Sequence, residues 1–203
     1  MVSGSGTNLQ ALIDAERSGQ LPGRIELVVS NRAGAYALER AVQAGIPTHV
    51  APRRRWTSRD DPDRLAYDEE LACRLEAIQP DSIVLAGWMH LFCDAVLERF
   101  PGKILNTHPS LLPAFPGRTP VADALAYGVR VTGVTVHLVE PGAFDTGPII
   151  LQEAMPIAQE DTEETLHARL HEVEHRLLPR ASALLLEGRL ERRGRVVRIR
   201  EPG

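Results

Sequence analysis

Asn106 and His108 stand two residues apart in the stretch Ile104-Leu105-Asn106-Thr107-His108-Pro109. Its apolar start reads as the end of a short buried strand, which Pro109 stops. Side chains alternate along a strand, so Ile104, Asn106 and His108 share one face while Leu105 and Thr107 take the other. An amide donor and an imidazole that titrates near neutral pH then lie side by side where a strand gives way to a loop. Open α/β sheets carry their chemistry at such places. The same pattern also suits an Asn that satisfies turn backbone and a hydrogen-bonded structural His. For Asn-x-His alone, the structural use is the commoner.

Two other stretches have chemistry-bearing spacing. Ser3-Gly4-Ser5-Gly6-Thr7-Asn8-Leu9-Gln10 is a Gly-rich loop running into Leu9, Leu12 and Ile13 at helical spacing, with Thr7 or Asn8 as the candidate cap. Backbone N–H groups of such a loop, with the helix dipole behind them, make an anion site. The pattern is neither a Walker A loop nor a full dinucleotide fingerprint, and only Met1 and Val2 precede it as a strand. His171-Glu172-Val173-Glu174-His175 spells H-E-x-x-H, with His167 one turn earlier. On a helix the two histidines share a face, as zinc ligation needs. Only Glu187 or Glu191 offers itself as a further ligand, and a solvated, charge-rich helix face explains the row better.

The elements that must position these residues alternate. Arg24–Ser30 reads as a parallel strand, 35–44 as a helix ending at Gly45, and 47–51 as another strand. Arg53-Arg54-Arg55 is a basic loop. A long helix is predicted over 61–78, with Leu65, Leu71, Leu75 and Ile78 on its apolar stripe. Asp81–Gly87 is a buried strand leading into Trp88-Met89-His90-Leu91-Phe92. This strand–helix alternation predicts an α/β fold, a doubly wound, mostly parallel, Rossmann-like sheet with helices on both faces. Further on, 120–126 suggests a short helix, and Val134, Val136 and Leu138 alternate with Thr135, His137 and Val139 as in a half-buried strand. The turn-rich loop 140–148 holds Asp145, whose plain use is to form a turn before Thr146-Gly147-Pro148. Strand 149–152 follows, so the second half reads as an antiparallel portion. A last helix over 162–186, broken or bent near Pro179, and a short strand at 196–199 complete the chain.

With 203 residues and no linker or repeat, the chain is expected to form one domain over 1–203. Its net charge of −4 argues against a general nucleic-acid binder. No apolar run approaches the roughly 20 residues that span a bilayer. The opening residues read as neither signal nor transit peptide, so a cytoplasmic location is expected. Cys73 and Cys93 have no metal-type spacing and are expected to be buried thiols. Arg outnumbers Lys, with Lys103 the single lysine, which is a genomic rather than a functional signal.

Four stretches in one order carry a resemblance: Ser3–Gln10, Leu85-Ala86-Gly87-Trp88-Met89, Asn106-Thr107-His108-Pro109-Ser110-Leu111-Leu112-Pro113, and Asp145-Thr146-Gly147-Pro148-Ile149. Over nearly its whole length the chain resembles the phosphoribosylglycinamide formyltransferases, folate-dependent enzymes of purine synthesis. The resemblance implies Asn106, His108 and Asp145 as a catalytic trio. It implies Gly6, Thr7, Asn8, Leu9 and Gln10 as the ribonucleotide-holding loop, with phosphate at the helix N-terminus and Glu174 nearby. Met89, His90, Leu91 and Phe92 match the pterin-binding strand end, Arg64 matches a folate-contacting arginine, and Asn106 borders the folate as well. Leu112-Pro113 matches a cis bond. In domain terms, the N-terminal half would hold the nucleotide and the C-terminal half would complete the folate site. The chain departs from the family in its stub of a first strand and in Arg118-Thr119 after Pro116-Gly117, where the family often has a histidine.

The implied reaction moves a formyl group from 10-formyltetrahydrofolate, a co-substrate, to the amine of glycinamide ribonucleotide, without a metal. The implied partners are small molecules, with no nucleic acid or membrane, for a monomer or homodimer. Formyltetrahydrofolate hydrolases and methionyl-tRNA formyltransferases share the trio but usually carry an additional domain. A non-catalytic nucleotide-binding module and a zinc hydrolase are the readings from other classes.

Overall fold

The computed structural model describes residues 1–53, 56, 58 and 60–201, so Arg54 and Arg55 of the basic run lie outside it. The elements in chain order are α1 (Thr7–Arg17), β1 (Val28–Ser30), α2 (Tyr36–Gln43), β2 (Thr48–Val50), α3 (Pro62–Ile78), β3 (Ile83–Leu85) and α4 (Asp94–Arg99). They continue as β4 (Ile104–His108), α5 (Pro120–Tyr127), β5 (Val131–Leu138), β6 (Ile149–Pro156), α6 (Glu163–Leu186), β7 (Leu190–Arg193) and β8 (Val196–Ile199).

The fold is the mixed α/β arrangement expected. β1 pairs with β2, and β3 with β4, both in parallel. The stub of the first strand joins these pairs: Val2 bridges Ser30 in parallel, Val2 N–H donates to Val29 O at 2.9 Å, and Ala86 N–H donates to Met1 O at 2.9 Å. The sheet continues antiparallel through β5 and β6, a hairpin around the loop that carries Asp145. A separate β7–β8 hairpin ends the described chain, where only the second strand was legible.

Alternation along the strands splits the core into two layers. Val28, Leu105, Val134 and Val136 face α1, α2 and α6, through Leu9, Leu12, Ala37, Leu166 and Leu170. Val29, Ile83, Leu85 and Ile104 face α3 and α4, through Leu71, Leu75, Val96 and Leu97. Helices therefore cover both faces, and each helix buries one stripe.

Several expectations need correction. Leu65 is 42% exposed, and the buried face of α3 carries Arg64, Asp68, Leu71, Ala72 and Leu75. The stripe is rotated because Arg64 and Asp68 bond the segment ahead of α4 instead of meeting water. β5 is buried on both faces rather than one, since Thr135 and His137 find polar partners inside. α6 runs through Pro179 as one helix. Cys73 is exposed, and Arg99 lies beside its sulfur.

The α1 cap also differs: it is Gly6, with no side-chain cap bond, rather than Thr7 or Asn8. Gly6 has φ +74°, and a Cβ there would lie 2.5 Å from Ala37 Cβ and 2.7 Å from its Cα. Ala37 is itself held by its N–H donating to Gly4 O at 3.1 Å. Gly6→Ala should therefore lower stability by about 1–3 kcal/mol, from left-handed strain and overpacking together. Urea unfolding measures this, and an unchanged midpoint would contradict the close approach.

Candidate active site

β4 reaches its C-terminal end between β3 and β5, so Asn106 and His108 project at the rim of the sheet. The antiparallel register places Asn106 directly opposite His137. His137 is buried, and its Nδ1 lies 2.9 Å from Leu138 O. A carbonyl only accepts, so Nδ1 carries the proton and Nε2 is left as an acceptor. Asn106 Nδ2 donates to it at 3.3 Å. Burial holds the pKa of His137 below its ordinary value, so the ring is neutral. One amide hydrogen of Asn106 is thus anchored, and the second is left to donate elsewhere.

His108 is fixed in a similar way. Its Nε2 lies 2.8 Å from Phe115 O, so the proton sits on Nε2 and Nδ1 faces Asp145 Oδ2 at 3.7 Å. Asp145 adopts a left-handed φ of +51°. Its Oδ2 accepts from Gly117 N–H at 2.8 Å, and its Oδ1 lies 3.8 Å from His137 Nε2. The carboxylate therefore spans both histidines. The loop comes this close because residue 147 is glycine: a Cβ there would lie 1.7 Å from Leu138 O. The Leu112-Pro113 bond is cis, as the resemblance implied.

Two cavities meet at these side chains. One, of 230 Å³, is lined by Leu85, Leu97, Val139, His137, Asn106 and Asp145. The other, of 480 Å³, is lined by His108, Pro109, Arg118, Met89, Asn106 and Asp145. Arg64, His90, Leu91 and Phe144 line both. A larger hollow of 730 Å³ beside Met1 holds none of Asn106, His108 or Asp145.

The Met89–Phe92 segment divides by face. Met89 and Leu91 are exposed, while His90 and Phe92 point inward. Asp68, fully buried on α3, accepts from His90 Nε2 at 2.5 Å and from Cys93 N–H at 2.9 Å. Arg64 donates to Leu91 O at 2.5 Å, so α3 grips this cavity wall at three points. Thr119 stands just before α5, and its hydroxyl donates to Asp123 Oδ2 at 3.2 Å.

The other face of β4 serves a different region. Thr107 Oγ1 donates to Glu174 Oε1 at 3.2 Å, and Asn8 Nδ2 donates to Glu174 Oε2 at 3.1 Å. Glu174 thereby ties α6 to β4 and to the start of α1. Burial pushes its carboxyl above the usual value, against those two hydrogen bonds. Gly6, Thr7, Leu9 and Gln10 complete the opening of α1, with Leu9 in the core and Gln10 accepting from Arg40 at 3.0 Å. The H-E-x-x-H rings stand alongside each other rather than converging, and among the described residues no group of three or more His, Cys, Asp or Glu side chains could hold a metal.

The formyl transferase family model matches residues 1–182. The chain belongs to the formyl transferase family. A glycinamide ribonucleotide transformylase 1 of Symbiobacterium toebii, known as a crystal structure, is 49% identical with a TM-score of 0.91, over 98% of this chain and 92% of that one. A phosphoribosylglycinamide formyltransferase of Mycobacterium tuberculosis is 44% identical, over 98% of this chain and 92% of its own length. A trifunctional purine biosynthetic protein of Drosophila pseudoobscura pseudoobscura is 45% identical over 95% of this chain, which spans only 14% of that protein.

For this formyl transferase, sequence reasoning missed His137 and Asp68. His137 had a signal, a polar residue in an apolar strand, but its place opposite Asn106 depends on register. Asp68 sat unremarked in a helix rich in acids. Asp68→Ala should lower stability by roughly 3 kcal/mol, because buried donors lose their acceptor. A urea midpoint unchanged from wild type would refute the three-point grip. Glu174 contributes stability that is fully present below the ordinary carboxylate pKa and lost as pH rises through its elevated folded value. Glu174→Gln, which keeps an acceptor, should therefore gain stability relative to wild type from pH 4 to pH 7. Unfolding curves at the two pH values would show the opposite trend if burial did not raise that pKa.

Proposed function

We propose that the chain transfers a formyl group from 10-formyltetrahydrofolate to the primary amine of glycinamide ribonucleotide. The observation that carries this reading is the pair of cavities meeting at Asn106 and Asp145, with His108 on the larger one. Two substrates must meet at one carbon, and this is a place where two can meet. Family membership and the S. toebii likeness support the choice of chemistry. We read the whole chain as one catalytic domain for two small-molecule substrates.

The folate's pterin end occupies the 230 Å³ cavity, between Arg64, the His90–Phe92 stretch and the apolar wall of Leu85, Leu97 and Val139. The ribonucleotide amine enters from the 480 Å³ cavity, its phosphate toward Gly6–Asn8 at the start of α1. The amine nitrogen bonds to the formyl carbon, and the carbonyl π pair moves to oxygen. The free N–H of Asn106 and protonated Nδ1 of His108 stabilise that oxyanion, a contribution of several kcal/mol in acyl transfer. The amine passes a proton to Asp145, directly or through water, His108 Nδ1 gives its proton to N10, and the C–N10 bond breaks as the carbonyl re-forms. Asp145, 3.7 Å from His108 Nδ1, then returns the proton lost by the amine to that nitrogen.

Asp145→Asn keeps the acceptor for Gly117 N–H and removes the charge. It should reduce kcat by about 100-fold or more while both KM values change little. Near-normal turnover would remove Asp145 from the mechanism. Assays with and without the amine separate transfer from hydrolysis, because folate consumed without ribonucleotide would mark a hydrolase.

A further inference from the structure

The β7–β8 hairpin takes no part in the reaction just described, and none of its residues lines either cavity at Asn106. It is strongly basic: six arginines and two glutamates fall within residues 189–201, in a chain of net charge −4. Arg189 and Arg193 find local carboxylates, Glu187 at 3.1 Å and Glu191 at 2.9 Å. Arg192 differs. Its carboxylate partner is Glu140, 52 positions away, where the loop that carries Asp145 begins.

The hairpin shapes this arginine before it meets the loop. Gly194 and Arg195 join β7 to β8, and Gly194 has φ +62°, the conformation for which a two-residue turn selects glycine. The turn brings Gly194 O to Arg192, whose Nε donates to it at 2.7 Å. Nη1 and Nη2 are then left to donate side by side, Nη1 to Glu140 Oε1 and Nη2 to Glu140 Oε2, the latter at 3.0 Å. A single exposed ion contact fixes little, but a fork-to-carboxylate pair fixes the plane and direction of both groups. The loop needs such a fixture, because residues 141–144 are exposed and apolar burial holds little of it. Leu138 N–H closes its base by donating to Pro148 O at 2.9 Å. Above that base stand three polar pins: Arg192 on Glu140, Asp94 Oδ1 accepting from Gly142 N–H at 3.2 Å, and Asp145 Oδ2 accepting from Gly117 N–H at 2.8 Å. Asp145 itself sits at φ +51°, which an aspartate visits rarely, so its place depends on how the loop is held.

We propose that Arg192 is a positioning residue for the catalytic loop: the terminal hairpin presents its guanidinium as a fork to Glu140, and this latch sets where Asp145 stands. It rests on the role given to Asp145 above and adds what holds that carboxylate in place. Arg192 lines neither cavity, so it acts through Glu140. Glu140 lines the smaller cavity together with Gly142, Phe144 and Asp145, so the same latch shapes the folate side of the site. Displacing a catalytic group by 1 Å can cost about 100-fold in rate. An exposed ion pair, in contrast, adds little to stability. The rate should therefore respond to loss of the latch where stability does not.

Steady-state kinetics of the full chain test this, with both substrates varied. Arg192→Gln should lower kcat about tenfold and raise KM for 10-formyltetrahydrofolate, while KM for glycinamide ribonucleotide and the urea midpoint stay at wild-type values. Hydrogen exchange in peptides spanning 139–148 should quicken in the variant and stay unchanged in β4. Arg192→Lys keeps the charge without the fork and should behave as Arg192→Gln does. Glu140→Gln has an effect of its own at the cavity, but adding Arg192→Gln to it should change kcat by less than about twofold. The same should hold for Arg192→Gln added to Asp145→Asn. Wild-type kcat in Arg192→Gln or Arg192→Lys would overturn the latch, and so would the full tenfold loss in the Glu140→Gln background. A loss of rate accompanied by a lowered urea midpoint would also overturn it, because a merely structural hairpin behaves that way. In each of those cases an inactive Asp145→Asn leaves the role of Asp145 standing. Normal turnover of Asp145→Asn would overturn both.

Discussion

Antiparallel pairing of β4 with β5, with Leu105 opposite Leu138, Asn106 opposite His137 and His108 opposite Thr135, sets the distances in the site. A slip of one residue would send every side chain of β4 to the other face. Asn106 would then meet α6, and Thr107 would take its place at the cavities. The register is pinned by complete burial of Ile104 and Leu105 in opposite core layers. Apolar burial on both faces of one short strand therefore fixes where an amide and an imidazole can act.

Polar groups around that strand are held by partners that leave them little freedom. A backbone carbonyl defines the tautomer of each histidine, Phe115 O for His108 and Leu138 O for His137. Neutral His137 then orients the Asn106 amide, and Asp145 sits between the two rings. In a low-dielectric setting these fixed dipoles need no reorganisation when charge develops, the condition under which hydrogen bonds contribute most to acyl transfer. Asp68 does the corresponding work at the cavity wall, by holding His90 and Cys93 from below.

The opposite face of β4 couples the reaction region to the loop at the start of α1. Thr107, Glu174 and Asn8 form a buried chain across β4, α6 and α1. Movement of α6 would therefore be felt at β4 and at the Gly-rich loop together.

The sequence by itself determined the alternation of strands and helices, the antiparallel second half, and the stretches that carry the family likeness. Those are local: a period of two or of 3.6, a glycine where φ is positive, a proline where a strand must stop. It did not determine the stripe of α3, the double burial of β5 or the continuity of α6, because each depends on what the element packs against. Asn106 and His108 were legible as neighbours on one strand face. His137, Asp68 and the partners of Glu174 were not, since they join residues 22 to 166 positions apart. Such contacts exist only once strand register and helix docking are settled, and those are decided by burial of the whole sheet rather than by any short run of residues.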